Sequence, residues 1–265
     1  GRPDLSRMVG QPGTRAKEVM GWTCKRLSGA RTDRIRKNRT LCNSPWIGEL
    51  ARTYYGSSLD VECVPPPCAM AGVPSHHEWA SREPGVLILG RLTPGKRVED
   101  AVEAVQICRD AGEDLRLHII AGGATPGYRE TLVQRTRELD WVEWHEGISR
   151  DEVLALMSGN RYGIHANPGE HFGMATAEMS GSGCLVVGHD SGGTRDILPH
   201  PGQRFQTGAE AGQALLRIHR DEDLQRELLG IARDHTLAYR PETFVESIRH
   251  QVQGLLQPAT VSDPS

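Results

Sequence analysis

The first turn that could do chemistry is Gly90-Arg91-Leu92-Thr93-Pro94-Gly95-Lys96, which follows an apolar run and places two cations five residues apart. A turn between a strand and a helix can aim both cations at one diphosphate, with arginine acting as a planar fork and lysine as a point charge. The alternative is a solvated turn that carries ordinary surface cations. The turn alone does not decide between these two interpretations.

A second turn leads from Asn167 into a helix that we expect to begin near Phe172 or Gly173. Free backbone amides at a helix N-terminus attract an anion, and a glycine there allows a ligand to approach the backbone closely. Glu170 precedes this helix and Glu178 lies one to two turns into it. Carboxylates at these positions could accept hydrogen bonds from sugar hydroxyls and from a ribose diol. The alternative is a capping carboxylate and a surface glutamate.

A third turn contains the pair Gly192-Gly193 after another apolar run, where a tight turn could lie beside a ligand or simply reverse the chain. Several common motifs are absent from the sequence: the Gly-x-Ser-x-Gly nucleophile turn, the phosphate loop and the Gly-x-Gly-x-x-Gly dinucleotide motif. The sequence Asp221-Glu222-Asp223 lies in a helical tail, far from any predicted strand end. This favours a diphosphate neutralised by cationic side chains and helix amides, without a metal ion.

These turns need a scaffold, and the hydrophobic pattern predicts an alternation of strands and helices. The predicted strands are 39–42, 61–64, 86–90, 115–121, 142–145, 162–166 and 184–188; the predicted helices are 14–28, 45–55, 98–112, 128–139, 150–157, 172–181, 210–220, 224–235 and 241–256. Residues 69–84 are rich in Pro, Gly, His and Ser and are predicted to form a loop. The pattern indicates an α/β fold with a Rossmann-like, doubly wound parallel sheet and a helical C-terminal tail, and such sheets bind ligands at the carboxyl ends of their strands.

The composition narrows the class of partner. The chain has 265 residues and a formal net charge of −3, which gives no general attraction to nucleic acid. Residues 1–40 hold eleven Lys and Arg against three acidic residues, so they form either a solvated basic helix or a surface for an anionic partner such as lipid headgroups. The six cysteines lack zinc-site spacing, and we expect reduced thiols, including Cys63 and Cys68. No apolar run is long enough to span a bilayer.

The order and spacing of these motifs resemble glycosyltransferase family 4, which has the GT-B fold. The match runs from about Asn43 to Leu198, and it is closest to the mannosyltransferases that extend lipid-linked oligosaccharides through α-1,2-linkages. It rests on four segments: Val64-Pro65-Pro66-Pro67-Cys68, Val142-Glu143-Trp144, Glu170-His171-Phe172-Gly173 and His189-Asp190-Ser191-Gly192-Gly193. The chain departs from the usual pattern at Asp196, where a glutamate is common.

The resemblance implies a retaining transferase that uses a nucleotide-diphosphate sugar, GDP-mannose or a UDP-sugar, with no cofactor and no metal. It implies catalytic roles for Arg91, Lys96 and Glu170, with Glu170 contacting the donor sugar and Glu178 the ribose. The donor-binding set that it implies is Gly90, His171, Phe172, Gly173, Met174, Ala175, Glu178, Gly192 and Gly193. The acceptor would be a glycan or a lipid-linked glycan, with no nucleic acid involved.

The resemblance also implies that this chain is the C-terminal part of a longer enzyme. Residues 1–42 would be the remnant of an N-terminal acceptor domain that is otherwise missing, residues 43–256 the nucleotide-sugar-binding domain and residues 257–265 a flexible tail. We expect a location in the cytoplasm or on the cytoplasmic face of a membrane, with peripheral contact through the basic first helix. Two alternatives stay open: a catalytically silent nucleotide-sugar-binding module, and an unrelated Rossmann-like enzyme such as an NAD-dependent one.

Overall fold

The structure, a computed structural model, describes residues 37–256, and the chain divides into two compact units after Cys63. The described part of the first unit contains strand β1 (Thr40–Cys42), helix α1 (Pro45–Tyr55) and strand β2 (Val61–Cys63), and its two strands are parallel. The Ser44 side chain caps α1 by accepting a hydrogen bond from the amide of Ile47 at 3.2 Å, and proline occupies the first turn. This capping and the helix bounds confirm the prediction for 45–55.

The second unit, which begins at Val64, is an alternation of strands and helices. Its strands are β3 (Glu83–Leu92), β4 (Arg116–Ala124), β5 (Val142–Glu146), β6 (Asn160–His165), β7 (Leu185–His189) and β8 (Arg204–Phe205). Its helices are α2 (His76–Ala80), α3 (Val98–Asp110), α4 (Tyr128–Thr136), α5 (Arg150–Gly159), α6 (Met174–Gly181), α7 (Thr194–Ile197), α8 (Gly208–Arg220), α9 (Glu222–His235) and α10 (Pro241–Leu256). The predicted α/β class with a helical C-terminal end is confirmed.

The six strands of this unit form one parallel sheet in the order β5-β4-β3-β6-β7-β8. The chain winds outward from β3 in one direction, then returns to β6 and winds outward in the other direction. The sheet is therefore doubly wound, and its topological switch point lies between β3 and β6. Ligands of such sheets bind in the crevice at that point, outside the carboxyl ends of the strands.

The apolar run in β3 explains why both faces of the sheet are covered. Val86 and Ile88 point into a core shared with α3 and α8, whereas Leu87 points into a second core shared with α5 and α6. Successive side chains of a strand face opposite sides, so a strand buried on both faces must be apolar throughout. The run 86–89 satisfies this requirement, and it fixes β3 at the centre of the sheet.

The prediction of a loop over 69–84 is wrong in part. Residues 76–80 form α2, because Ser75 and Glu78 make a reciprocal capping box in which the Glu78 carboxylate accepts from the Ser75 amide at 2.9 Å. The Ser-x-x-Glu spacing was a readable start signal that the Pro- and Gly-rich composition obscured. Strand β3 also begins at Glu83, inside the predicted loop, and the two-residue strand β8 was not predicted.

The predicted helix over 14–28 and the tail 257–265 lie outside the described residues. The proposed domain boundary after residue 42 stays a prediction. None of the helices within residues 37–256 is both long enough and apolar enough to cross a bilayer.

Candidate functional site

The turn after β3 and the turn after β6 meet at the switch point of the sheet. Lys96 lies in a short 3-10 helix (Pro94–Lys96) that follows β3, and Glu170 lies in the loop that follows β6. The Lys96 Nζ atom is 3.1 Å from the Glu170 Oε2 atom, and both side chains keep about a quarter of their surface exposed, at 23% each. Two predicted site residues that are 74 positions apart in the sequence are therefore in direct contact.

Gly90 lies beside the side chain of the lysine. Its backbone has φ +141°, and a β-carbon built there would lie 3.4 Å from the Lys96 Cε atom. The pairing of β3 with β4 is irregular between Gly90 and Leu92, which turns the end of the strand. Arg91 sits in this irregularity with an exposed side chain and borders the same small cleft as Lys96. Within the described residues, Arg91 has no ion-pair partner.

The Glu170 carboxylate is surrounded by hydrogen-bond donors. Its Oε2 atom accepts from Asn167 Nδ2 at 2.8 Å and lies 3.4 Å from the buried His165 Nε2 atom. Burial lowers the pKa of His165, so that this ring is neutral. The adjacent His165 ring is the largest cause that holds the pKa of Glu170 well below its usual range. The next causes that lower this pKa are the hydrogen bond from Asn167 and the charge of Lys96. A carboxyl group in this state cannot donate a proton near neutral pH.

The depressed pKa of Glu170 predicts a pH-dependent loss of stability. A group whose folded pKa is lowered stabilises the fold above its unfolded pKa, and that contribution disappears as the pH falls toward the folded value. We expect Glu170→Gln to be less stable than the wild type at pH 7, and the difference should shrink progressively below about pH 4.5, the ordinary value for glutamate. Urea unfolding at pH 7, 5, 4 and 3 measures it; a difference that stays constant over this range would contradict the assignment.

The second carboxylate, Glu178, is buried and held by an arginine. Its Oε1 atom is 2.5 Å from Arg150 Nη2, and its Oε2 atom is 3.3 Å from Arg150 Nη1. Only 10% of the glutamate side chain is exposed, against 45% of the arginine side chain. The alternative interpretation of Glu178 as a surface residue is therefore wrong. The paired carboxylate retains lone pairs that could accept from a diol.

The start of α6 presents open backbone amides. The helix begins at Met174, and its N-cap Gly173, at φ +105°, offers no side chain to cap them. Glu170 therefore does not cap this helix, so the alternative interpretation of Glu170 as a capping carboxylate is wrong. Phe172 points away from this edge into the core, where its ring meets that of Tyr239 at 5.3 Å between centroids. Any contact of Phe172 with a ligand would therefore come from its backbone.

The two glycines after β7 hold the Glu170 loop by backbone contact. The Gly193 amide donates to the Glu170 carbonyl at 2.7 Å. A β-carbon on Gly193 would lie 2.5 Å from the His171 carbonyl oxygen, a distance that no side chain can occupy. The Ser191 hydroxyl adds a second link by accepting from the Gly169 amide at 2.8 Å. The turn that contains Gly192 and Gly193 therefore holds the Glu170 loop in place.

This close approach predicts a large effect for Gly192→Ala. Gly192 has φ +65°, and its β-carbon would lie 2.3 Å from the Glu170 carbonyl oxygen. We expect a loss of stability of about 1–3 kcal/mol, the range for overpacking, measured by urea unfolding. The control is Gly230→Ala in α9, where nothing lies within 4 Å of the new β-carbon. That variant should be more stable by roughly 0.5–1 kcal/mol because alanine is the better helix residue. Equal unfolding midpoints for Gly192→Ala and wild type would contradict the packing account.

Some of the site residues predicted from the sequence lie together in the structure, and others lie on the exposed surface nearby. Lys96 and Glu170 are in contact and Gly90 lies beside the Lys96 side chain, whereas His171 and Met174 are exposed and Ala175 is half-buried. Sequence reasoning missed His165, Asn167 and Arg150. His165 is the last residue of the buried strand β6, Asn167 lies two residues beyond it, and Arg150 is the first residue of a helix that Ser149 caps. The sequence could have placed these residues at the ends of a strand and a helix, but it could not have predicted which side chains they contact.

The comparisons with known proteins agree with this geometry. Residues 74–225, which run from α2 to the first turn of α9 and contain all six strands β3 to β8, match the sequence profile described as "Glycosyl transferases group 1". A mouse protein named GDP-Man:Man(3)GlcNAc(2)-PP-Dol alpha-1,2-mannosyltransferase is 26% identical over 211 residues, which are 70% of this chain and 42% of the relative. A protein of the same name from Dictyostelium discoideum is 27% identical over 148 residues, 52% of this chain and 29% of the relative. The chain thus spans less than half the length of these relatives.

Solved glycosyltransferase structures share the fold. Sucrose-phosphate synthase from Thermosynechococcus elongatus superposes with a TM-score of 0.68 at 20% identity, covering 81% of this chain and 57% of that one. The Anabaena protein HepE in complex with UDP and glucose superposes with a TM-score of 0.65 at 16% identity, covering 80% and 62%. At these identities the likeness concerns the fold, whereas the profile match covers more than half of the chain. The chain belongs to the glycosyl transferases group 1 family and has the GT-B type of sheet.

Proposed function

We propose that this chain is the part of a glycosyltransferase that binds the nucleotide-diphosphate sugar. The enzyme would transfer mannose from this donor to a hydroxyl of a lipid-linked glycan. The observation that carries the proposal is the contact of Lys96 with Glu170 at the switch point, near the uncapped start of α6. The cation and the open amides suit a diphosphate, and the fixed carboxylate suits a sugar hydroxyl. The names of the similar mannosyltransferases support the choice of mannose, GDP and a lipid-linked acceptor.

The charges at this edge suit the departure of a nucleoside diphosphate. Lys96 and the exposed Arg91 would stabilise the negative charge that develops on the leaving phosphate. We propose that these cations and the α6 amides neutralise the diphosphate without a metal ion. Glu170 already accepts hydrogen bonds from Lys96 and Asn167, so its electron pairs are poorly available for attack on the sugar. We therefore propose retention through a reaction on one face of the sugar, in which the leaving phosphate helps to deprotonate the acceptor.

A transfer assay with the full-length protein tests this function. The protein is incubated with GDP-mannose and a lipid-linked mannosyl glycan, with and without a chelator, and the anomeric configuration of the product is read by NMR. We expect an α-linked product from the α-linked donor, at the same initial rate in the chelator. A β-linked product would exclude retention, and a chelator-dependent rate would exclude the metal-free mechanism. Donor binding without any transfer would favour the silent module.

The location is part of the same proposal. Among residues 37–256, the cysteines Cys42, Cys68, Cys108 and Cys184 form no disulfide bond, as expected for a reducing compartment. A lipid-linked acceptor would bring the enzyme to the cytoplasmic face of a membrane. The basic residues of segment 1–40 would then lie against anionic headgroups.

A further inference from the structure

A second cluster of polar side chains lies on β4 and β5, away from the carboxyl edge. His118 stands directly opposite Glu143 in the strand register, and Ile120 stands opposite His145. Alternate residues of a strand point to the same face, so His118, Glu143 and His145 share one face of the sheet. This is the face covered by α5. The cluster plays no part in the donor site described above.

The three side chains converge at distances that suit a shared metal ion. The His118 Nδ1 atom is 3.1 Å from His145 Nε2 and 3.5 Å from Glu143 Oε2. When two ligand atoms each lie about 2.0–2.1 Å from a tetrahedral ion, they are roughly 3.3 Å from each other. This separation falls between the two distances measured from His118 Nδ1. All three ligand atoms lie within 4.8 Å of one another. Glu143, whose side chain is 41% exposed, can close the remaining gap by rotating.

The surroundings orient two of these ligands. The Asn160 side chain is buried, and its Nδ2 atom donates to the Leu156 carbonyl at 2.9 Å. This fixes the amide, and its buried Oδ1 atom has no hydrogen-bond partner among residues 37–256. A β-carbon on Gly85 would lie 1.8 Å from that oxygen and 2.8 Å from His118 Nε2, so both atoms border the space that Gly85 leaves free. After a rotation of the His118 ring, this oxygen could accept from the ring nitrogen that does not face the cluster.

The other ligand with a supporting partner is Glu143. Its Oε1 atom accepts from Arg116 at 2.8 Å, which turns Oε2 toward the histidines. Partners of this kind accompany metal-binding histidines and carboxylates, because they set the tautomer and the ring orientation. The cluster therefore has both ligands and supporting groups.

We propose that His118 Nδ1, His145 Nε2 and Glu143 Oε2 bind a divalent transition-metal ion of the zinc type, with a water molecule completing the coordination. Two imidazoles and one carboxylate are a donor set typical of zinc. Asn160 is a positioning residue that acts through His118. The ion joins the edge strand β5 to β4. Its role is structural, so removing it lowers the melting temperature and leaves the chemistry of the donor edge unchanged.

Metal titration of the chelator-treated, dialysed chain tests the site. Zn²⁺ is titrated by calorimetry into wild type, His145→Ala and Glu143→Gln, and into His77→Ala as the control, because His77 is an exposed histidine of α2 outside the cluster. Circular dichroism establishes that each variant is folded. We expect one saturable ion per chain in wild type and His77→Ala, and a loss of affinity of more than about 100-fold in His145→Ala, since ligand loss should exceed the effect of losing a supporting partner. Failure of wild type to bind, or binding that survives in His145→Ala, would overturn the proposal.

Two further readouts separate this site from its alternatives. Co²⁺ should give the visible spectrum of a nitrogen- and oxygen-bound ion, whereas intense sulfur-to-metal bands would show binding at cysteines and contradict the assignment. Asn160→Ala should weaken the affinity for Zn²⁺ by roughly 10- to 100-fold. Asn160→Asp keeps an acceptor oxygen at this position, so it should restore the affinity. If both variants bind as tightly as wild type, Asn160 does not position His118. His145→Ala should bind nucleotide as tightly as wild type does. Nucleotide binding therefore tests the donor site, and Zn²⁺ binding tests the metal site separately.

Discussion

Lys96→Met is expected to weaken the binding of a nucleotide-diphosphate sugar by about 1.5–3 kcal/mol, the range for a hydrogen bond to a charged group. Lys96 lies at the switch point of the sheet with its Nζ atom 3.1 Å from Glu170, and Gly90 leaves space for its side chain. Methionine keeps most of the aliphatic stem and removes the charge. Calorimetric titration with GDP-mannose measures the loss, which corresponds to roughly ten- to a hundredfold in Kd.

The structure indicates that this variant will remain folded. Glu170 keeps its hydrogen bond from Asn167 and its neighbour His165 when the lysine is replaced. The matched control is Arg226→Met, which removes an exposed cation that pairs with Glu222 within α9. Its affinity should equal that of wild type. Equal affinity of Lys96→Met and wild type would remove Lys96 from the site.

Glu178→Gln is expected to weaken the binding of GDP by a similar amount, about 1.5–3 kcal/mol, because a buried carboxylate is lost as an acceptor for the ribose diol. The effect should depend on the ribose. We expect 2′,3′-dideoxy-GDP to bind wild type and Glu178→Gln equally, since it lacks the hydroxyls that the carboxylate would hold. A loss of the same size for both nucleotides would show that Glu178 acts only through Arg150 or the fold.

The chain offers a close control for this substitution. Glu146 is held by Arg129 through two hydrogen bonds, as Glu178 is by Arg150, but its pair lies on the exposed surface at the end of β5. Glu146→Gln therefore removes the same kind of ion pair without touching the buried carboxylate. We expect this variant to bind GDP as wild type does. If it lost affinity equally, the effect of Glu178→Gln could not be assigned to the ribose.

The sequence was sufficient to predict the class of fold because the period of its apolar residues changes at each element. The run 86–89 requires a strand buried on both faces, and the loops after such strands must meet at one edge. From this the turn containing Lys96 and the turn containing Glu170 could be predicted to converge. The helices of the C-terminal end followed from the same periodicity.

What could not be predicted was which side chains pair at that edge. Contact between Lys96 and Glu170 depends on the strand order, and the sequence does not encode that β6 lies beside β3 in any local pattern. Arg150 pairs with Glu178 because α5 and α6 lie on the same face, which again is a tertiary fact. The glycine pair 192–193 could be recognised as a turn, but its close contact with the Glu170 loop appears only when both backbones are placed.

The most direct test is a calorimetric titration of this chain with GDP, GDP-mannose, UDP and UDP-glucose, in wild type, Lys96→Met and Glu178→Gln. We expect saturable binding of GDP and GDP-mannose in preference to the uridine nucleotides, with reduced affinity in both variants. Selective binding of UDP would retain the site and overturn the assignment of mannose. Nucleotide binding that is equally strong in wild type and both variants would contradict the central claim that Lys96 and Glu178 hold the donor at the carboxyl edge of the sheet.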